Sequence, residues 1–314
     1  RTGAQTEPIT ARTAKSIAVL PFKMFHSGTA GDSGDEYLGV GLADSLISRF
    51  SNVRRFVVRP TSSVLRFTED SDSFAAGREL GVDFVVDGSI RRVADRVRVT
   101  VQLLSVAENA TRWARSFDES VADVLALEDS ISEQVAEALV PHLTGEDRIR
   151  LGKRGTQNPK AYQAYLRGRF FWNRLTGDSL NKAHDSFQLA IQLDPRYALA
   201  YVGLADFYNW AAIFGVMPAI ESMPRAEEAA CAALEIDPEL GEAYAALGLI
   251  EDARFEWTKS EDYYRRALEL NPNDPYAHEW LSAVLVGSGR IDEGVKHIHH
   301  SEELTPLSPR ARPI

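Results

Sequence analysis

Residue types able to do chemistry are few and scattered in this sequence. HIHH, His297 to His300, sets His297 and His300 one helical turn apart, so that two imidazoles could share one zinc or nickel ion. No cysteine or carboxylate completes the set, and no metal centre is expected. Asp32, Asp35 and Glu36 crowd one glycine-rich loop, but without the spacing of an EF-hand; they read as solvated groups that cap the next helix. GVGLAD, Gly39 to Asp44, is the nearest approach to a phosphate loop. It lacks the third glycine and any Lys-Ser/Thr, and its strand is too far upstream, so it reads as a helix entry. Cys231 lies in the Ala-rich helical run AEEAACAAL as a small packing residue. No GxSxG elbow, HExxH pair or kinase loop is present. Neither a catalytic residue nor a cofactor is therefore expected.

The charge excludes further classes. A net charge of −10 argues against general nucleic-acid binding, which needs a basic surface to release counterions. No apolar run is long enough to span a bilayer, so membrane insertion by these residues is not expected. The polar N-terminus RTGAQTEPITARTAK begins at Arg1 and reads as a linker, residues 1–15, in a longer protein.

The elements that must position any site are most regular in the second half. AIQLDP, ALEIDP, ALELNP and SEELTP end at Pro195, Pro238, Pro272 and Pro306, at intervals of 43, 34 and 34 residues. A 34-residue period closed by proline is the tetratricopeptide (TPR) spacing, and the longer interval is that period with an insertion around FGVMPAIESMP. Within one unit Tyr244, Leu247, Gly248, Ser260, Tyr264, Ala267 and Pro272 fill the large, apolar and small slots that two close helices need. The reading is an all-α TPR solenoid of about four helix pairs over residues 158–306. The Pro-rich tail, 307–314, cannot form a capping helix, so further repeats are expected beyond it.

The first half has a different rhythm. SIAVLPF is a continuous apolar run suited to a buried strand, and YLGVGLADSLISRF follows with its apolar residues on one helical face. In RVRVTVQLLSV, Val97, Val99, Val101 and Leu103 alternate with Arg98, Thr100 and Gln102, as in a strand with one wet face. Ala94 and Asp95 would turn the chain into that strand. TRWARSFD reads as a third antiparallel strand and VADVLALEDSISEQVAEALVPHL as a closing helix. The expectation is an α+β domain, a mixed sheet with helices, over residues 16–150.

SIAVLPF, YLGVGLADSLI, LGVDFVVDGSIRR, RVRVTVQLLSV and TRWARSFD, in this order, resemble a bacterial module related to the N-terminal domain of TolB and to FlgO. NPKAYQAYLRGRFFWN and LDPRYALAYVGLADFY resemble the repeats that follow that module. The resemblance implies the C-terminal part of a signalling protein whose other part is a CadC-like winged-helix domain, a class III adenylate cyclase or a Ser/Thr kinase. It leaves open the output, the side of the membrane and the oligomeric state.

The first helix of each pair in such a stack lines a concave face. Positions that should point inward include Asp206 and Asn209, with Trp210 beside them, then Glu242, Leu249 and Asp252, then Tyr276 and Glu279. These mix carboxylates with apolar groups and include no Lys or Arg, so a clamp for a peptide's terminal carboxylate is not expected. A basic and apolar protein or peptide segment suits them better. Two alternatives stand beside this: a small-molecule sensor that binds a metabolite in the α+β domain or at its junction with the repeats, where Phe170, Phe171 and Trp172 lie, and an oligomerisation scaffold.

Overall fold

The computed structural model describes residues 14–26, 36–67, 70–93, 96–120, 124–140, 143–152, 155–174 and 176–306. Asp32, Asp35, the turn expected at Ala94 and Asp95, most of the N-terminal linker and the tail lie outside the described residues.

SIAVLPF forms β1 (Lys15–Val19), with Ile17, Ala18 and Val19 fully buried. Pro21 has no N–H to offer a ladder. After it the chain resumes as β2 (Lys23–His26), and the two short strands pair in succession, both parallel, along β4 (Phe84–Val93). The parallel strand β3 (Phe56–Val58) flanks β1 on its other side. Antiparallel β5 (Arg96–Ser105) and β6 (Ala110–Ser120) complete a mixed sheet of order β3-β1-β4-β5-β6. Val97, Val99, Val101 and Leu103 of β5 are buried, as the alternation requires, while Arg98 is exposed.

Helices α1 (Glu36–Ser51), α2 (Thr61–Val64), α3 (Ser73–Leu80), α4 (Val124–Leu139) and α5 (Gly145–Leu151) complete this part. The glycines of GVGLAD are there for close approach. A Cβ on Gly39 would stand 2.3 Å from the Phe22 carbonyl oxygen, and one on Gly41 would stand 2.9 Å from Leu166 Cβ in the first repeat helix.

Four antiparallel helix pairs follow: α6 (Pro159–Trp172) with α7 (Gly177–Leu193), and α8 (Ala198–Ile213) with α9 (Ala219–Ile236). The others are α10 (Gly241–Ala253) with α11 (Trp257–Leu270), and α12 (Pro275–Gly287) with α13 (Ile291–Leu304). Asn158 and Asp274 cap α6 and α12, each with proline at the first helical position, where its missing N–H costs nothing.

The repeats are folded against the sheet domain. Asn273, in the turn between the third and fourth units, donates to Ser51 O at 3.0 Å and Phe56 O at 3.1 Å and accepts from Val58 N at 3.4 Å. Arg54 donates to Glu269 O at 3.0 Å, and Arg59 donates to Glu303 O. The solenoid thus grips the α1 and β3 end of the first domain from its third unit to its fourth.

Candidate functional site

Between the two parts lies a cavity of about 600 Å³. One wall is α1 and α2 with the Pro60 turn, through Asp44, Ile47, Ser48, Ser51, Thr61 and Leu65. The other is the concave face of the repeats, supplied by the first helix of each pair. Tyr165, Arg169 and Trp172 come from α6, Val202, Asp206, Asn209 and Trp210 from α8, Glu242 and Leu249 from α10, and Tyr276 and Trp280 from α12.

Of the eight positions expected from the repeat register, Asp206, Asn209, Trp210, Glu242, Leu249 and Tyr276 meet in this cavity. Asp252 and Glu279 do not line it. Asn209 is also structural: its amide donates to Ala246 O at 3.1 Å and ties α8 to α10. Trp210 lies flat on Phe214, ring centres 4.7 Å apart, and edge-on to Trp172 at 5.9 Å. Tyr276 is 46% exposed and stands at the rim.

The charge differs from the expectation in one respect. Repeats two to four bring no base into the cavity, but the first brings Arg169, whose Nε and Nη2 reach the Asp44 carboxylate at 2.7 and 3.2 Å. Thr61 Oγ1 donates to the same carboxylate at 2.6 Å. Burial alone would raise the Asp44 pKa, but Arg169 outweighs it and holds the carboxyl below its ordinary range. The Arg169 charge is therefore already matched.

Three other carboxyls share the cavity. Burial pushes Asp206 up to about 7, helped by Asp274 and Glu242 and opposed by Arg169. Burial also raises Glu242, whose only protein hydrogen bond to a side chain among the described residues comes from Ser48 Oγ at 3.5 Å. Asp274 is raised by burial although it accepts from Tyr276 N at 2.9 Å and Ala277 N at 3.1 Å. Two buried polar atoms of cavity residues, Asn173 Nδ2 and Tyr264 Oη, have no hydrogen-bond partner among the described residues.

Beneath the cavity, Glu128 on α4 is fully buried and accepts from Ser45 Oγ at 2.5 Å, from Arg49 Nε at 2.6 Å and from the Tyr162 hydroxyl. Arg49 also reaches Asp129 at 2.7 Å and Leu151 O at 3.1 Å. This network joins α1, α4, α5 and α6 and fixes the first repeat to the sheet domain.

Cys231 is not the packing residue expected from its Ala-rich run: it is exposed on α9, and its thiol is pushed up, first by partial burial of the sulfur and then by Glu227 and Glu235, away from the reactive thiolate. His297 and His300 meet His278 of α12, with His278 and His297 Nδ1 atoms 2.8 Å apart. No group of three or more His, Cys, Asp or Glu among the described residues is arranged to hold a metal ion. None of the described helices is long and apolar enough to cross a membrane.

Sequence reasoning missed Asp44, Arg169, Asp274 and Trp280 as cavity groups. One signal was available: the residues one turn from Asp44 on α1, Val40, Gly41, Ile47 and Ser48, carry no charge, and a carboxylate left unpaired against them would be costly.

Residues 13–134 match the family model described as the second domain of HilA/YgeH-like transcriptional regulators. Adenylate cyclase 3 of Rhizobium meliloti is 30% identical over 200 residues, 62% of this chain and 33% of that protein. The transcriptional regulator HilA of Salmonella typhimurium is 27% identical over 147 residues, 47% of this chain and 27% of that one. The chain thus spans about a third or less of the length of these relatives. A TPR protein of Thermus thermophilus superposes with a TM-score of 0.42 and 18% identity, covering 61% of this chain and 91% of its own. The chain consists of a HilA/YgeH-like second domain followed by TPR-like helical repeats, and its homologues are regions of an adenylate cyclase and of HilA regulators.

Proposed function

We propose that this chain is a non-catalytic regulatory region of a bacterial signalling protein, and that it holds a basic, partly apolar protein segment in the interdomain cavity. One observation carries the reading: Asp206, Glu242 and Asp274 converge beside Trp172, Trp210 and Trp280, while the one arginine among them is already paired with Asp44. A Lys or Arg side chain offers a cation to the carboxylates and an apolar stem or planar face to the indoles. Because the occupant would touch both walls, its arrival changes how the domains sit together, and that change is the signal passed to an output domain. The relatives suggest a cyclase or a transcriptional-regulator output.

Ionised Asp206 binds a cation better than its protonated form, so affinity should rise with pH through about 7. The test is fluorescence anisotropy with labelled peptides that carry a central Arg or Lys between Leu and Phe residues, at low and high salt. Asp206→Asn with Glu242→Gln should weaken binding at least tenfold, whereas Asp252→Asn with Glu279→Gln, outside the cavity, should change it little. Equal loss in both pairs, or none in either, would sink the proposal.

A second reading, a metabolite in the same cavity, is favoured by its volume of about 600 Å³, within the range of small-molecule sites, and by its two unpartnered polar atoms. A thermal-shift screen with metabolites alone separates the two: stabilisation without any peptide supports the metabolite.

A further inference from the structure

The turns inside the second, third and fourth helix pairs are built alike. The first helix ends with one residue in the left-handed region, and the N–H after it bonds back to a carbonyl five residues earlier. Val216 N reaches Ala211 O, Glu256 N reaches Glu251 O and Arg290 N reaches Leu285 O, each at 2.9 Å. In two turns the left-handed residue is glycine, Gly215 at φ 66° and Gly289 at φ 81°. In the third pair it is Phe255, at φ 63°.

A phenylalanine is strained in that conformation and glycine is not. No packing offsets the strain: Phe255 is 78% exposed, and a Cβ built at Gly215 or Gly289 meets nothing within 4 Å. Trp257, two residues on, is 49% exposed. Turns within successive helix pairs follow one edge of a stack. That edge also carries Val216 and Ile220, 64% and 85% exposed, from the second pair.

We propose that Phe255 anchors the docking of a partner protein on this edge of the solenoid, through a partner helix that is apolar on one face and basic along its flanks. Charge complementarity selects this occupant. Glu227, Glu251, Asp252 and Glu256 surround the corner against two cations, Arg254 on Glu227 at 2.5 Å and Glu251 at 2.9 Å and Lys259 at 3.8 Å from both Glu251 and Glu256, so the rim keeps an excess of negative charge. A second copy would bring the same acidic rim against this one. An aromatic ring seated in an apolar face, ringed by satisfied charge, is the usual form of an interface hot spot.

The test is Phe255→Gly, which restores the residue found in the sister turns. It should raise the thermal midpoint by about 2 °C or more, because the backbone strain is released. It should also weaken binding at least tenfold for one probe, a fluorescein-labelled synthetic helix with leucines at i, i+3, i+4 and i+7 and arginines on both flanks. Gly289→Phe, the reverse change in the fourth pair, should lower the midpoint. Asp206→Asn should leave binding of this probe unchanged, which separates this surface from the cavity. The proposal is overturned if wild type does not bind the probe, if Phe255→Gly binds it equally, or if Phe255→Gly lowers the midpoint. A wild-type dimer in sedimentation that becomes monomeric on Phe255→Gly would overturn it too, in favour of self-association.

Discussion

Asp206 is a carboxyl group whose environment disfavours its charge, and this has a measurable sign. Its pKa is raised from 3.8 to about 7, so between those values the folded chain holds a proton that the unfolded chain has lost. Its contribution to stability is therefore most favourable below about pH 4 and is lost as pH rises towards and through about 7. Asp206→Asn, which cannot ionise, should flatten that part of the profile and leave the protein about 2 kcal/mol more stable at pH 8, read by urea denaturation. Asp44 behaves in the opposite way, because Arg169 holds it ionised. Removing one member of that buried pair, as in Arg169→Met, should cost about 3 kcal/mol. Replacing both, Asp44→Leu with Arg169→Met, should recover much of the loss, since two buried charges then leave together.

The last helix pair carries its own titration. His278 Nε2 faces the Pro272 carbonyl at 3.2 Å, and a carbonyl can only accept, so Nε2 bears the hydrogen. Nδ1 of His278 is then the acceptor for the Nδ1–H of His297, at 2.8 Å. Protonating His278 would set two donors against each other. Burial first, and then His300, lowers its pKa from 6.5 to about 4. His297 is lowered as well, by burial and by Arg265, against Glu293. The pair's stabilising neutral state is complete above about pH 6.5 and is lost as pH falls towards 4. Hydrogen exchange in α12 and α13 should quicken over that window, and His278→Asn should remove most of the change. At the first domain's contact with the repeats the control is steric. Gly41→Val would push Leu166 away, costing about 2 kcal/mol and loosening α1 from α6, as limited proteolysis of the two parts would show. Elements of both kinds were legible in the sequence because each repeats a period: two residues for Val97 to Leu103, 34 for the prolines that end the helix pairs. Where the sequence broke its period, at Pro21 and Phe255, a second strand and a strained turn were not legible.

A solenoid standing alone holds each unit only by its neighbours, and its ends fray. Here the fourth unit is also tied to the first domain, through Arg59 on Glu303 O, and the turn before it through Asn273. Unfolding by urea should accordingly show one transition shared by sheet and helices, and Asn273→Ala should split it into two. Six of the eight positions expected to face inward line the cavity, because repeat register fixes which face a side chain takes. The other cavity residues were missed because they carry local explanations: Asp274 is a helix cap, Asp44 a helix residue and Asn273 a turn residue. Only their meeting gives them a second use. Asn273 also sets an order of events during synthesis. The Phe56 carbonyl that it grips leaves the ribosome 217 residues before it, which is roughly 10–40 s of translation. For that interval the first domain exists with its clasp unmade, and for the part of it that precedes Arg169 its Asp44 waits without its cation.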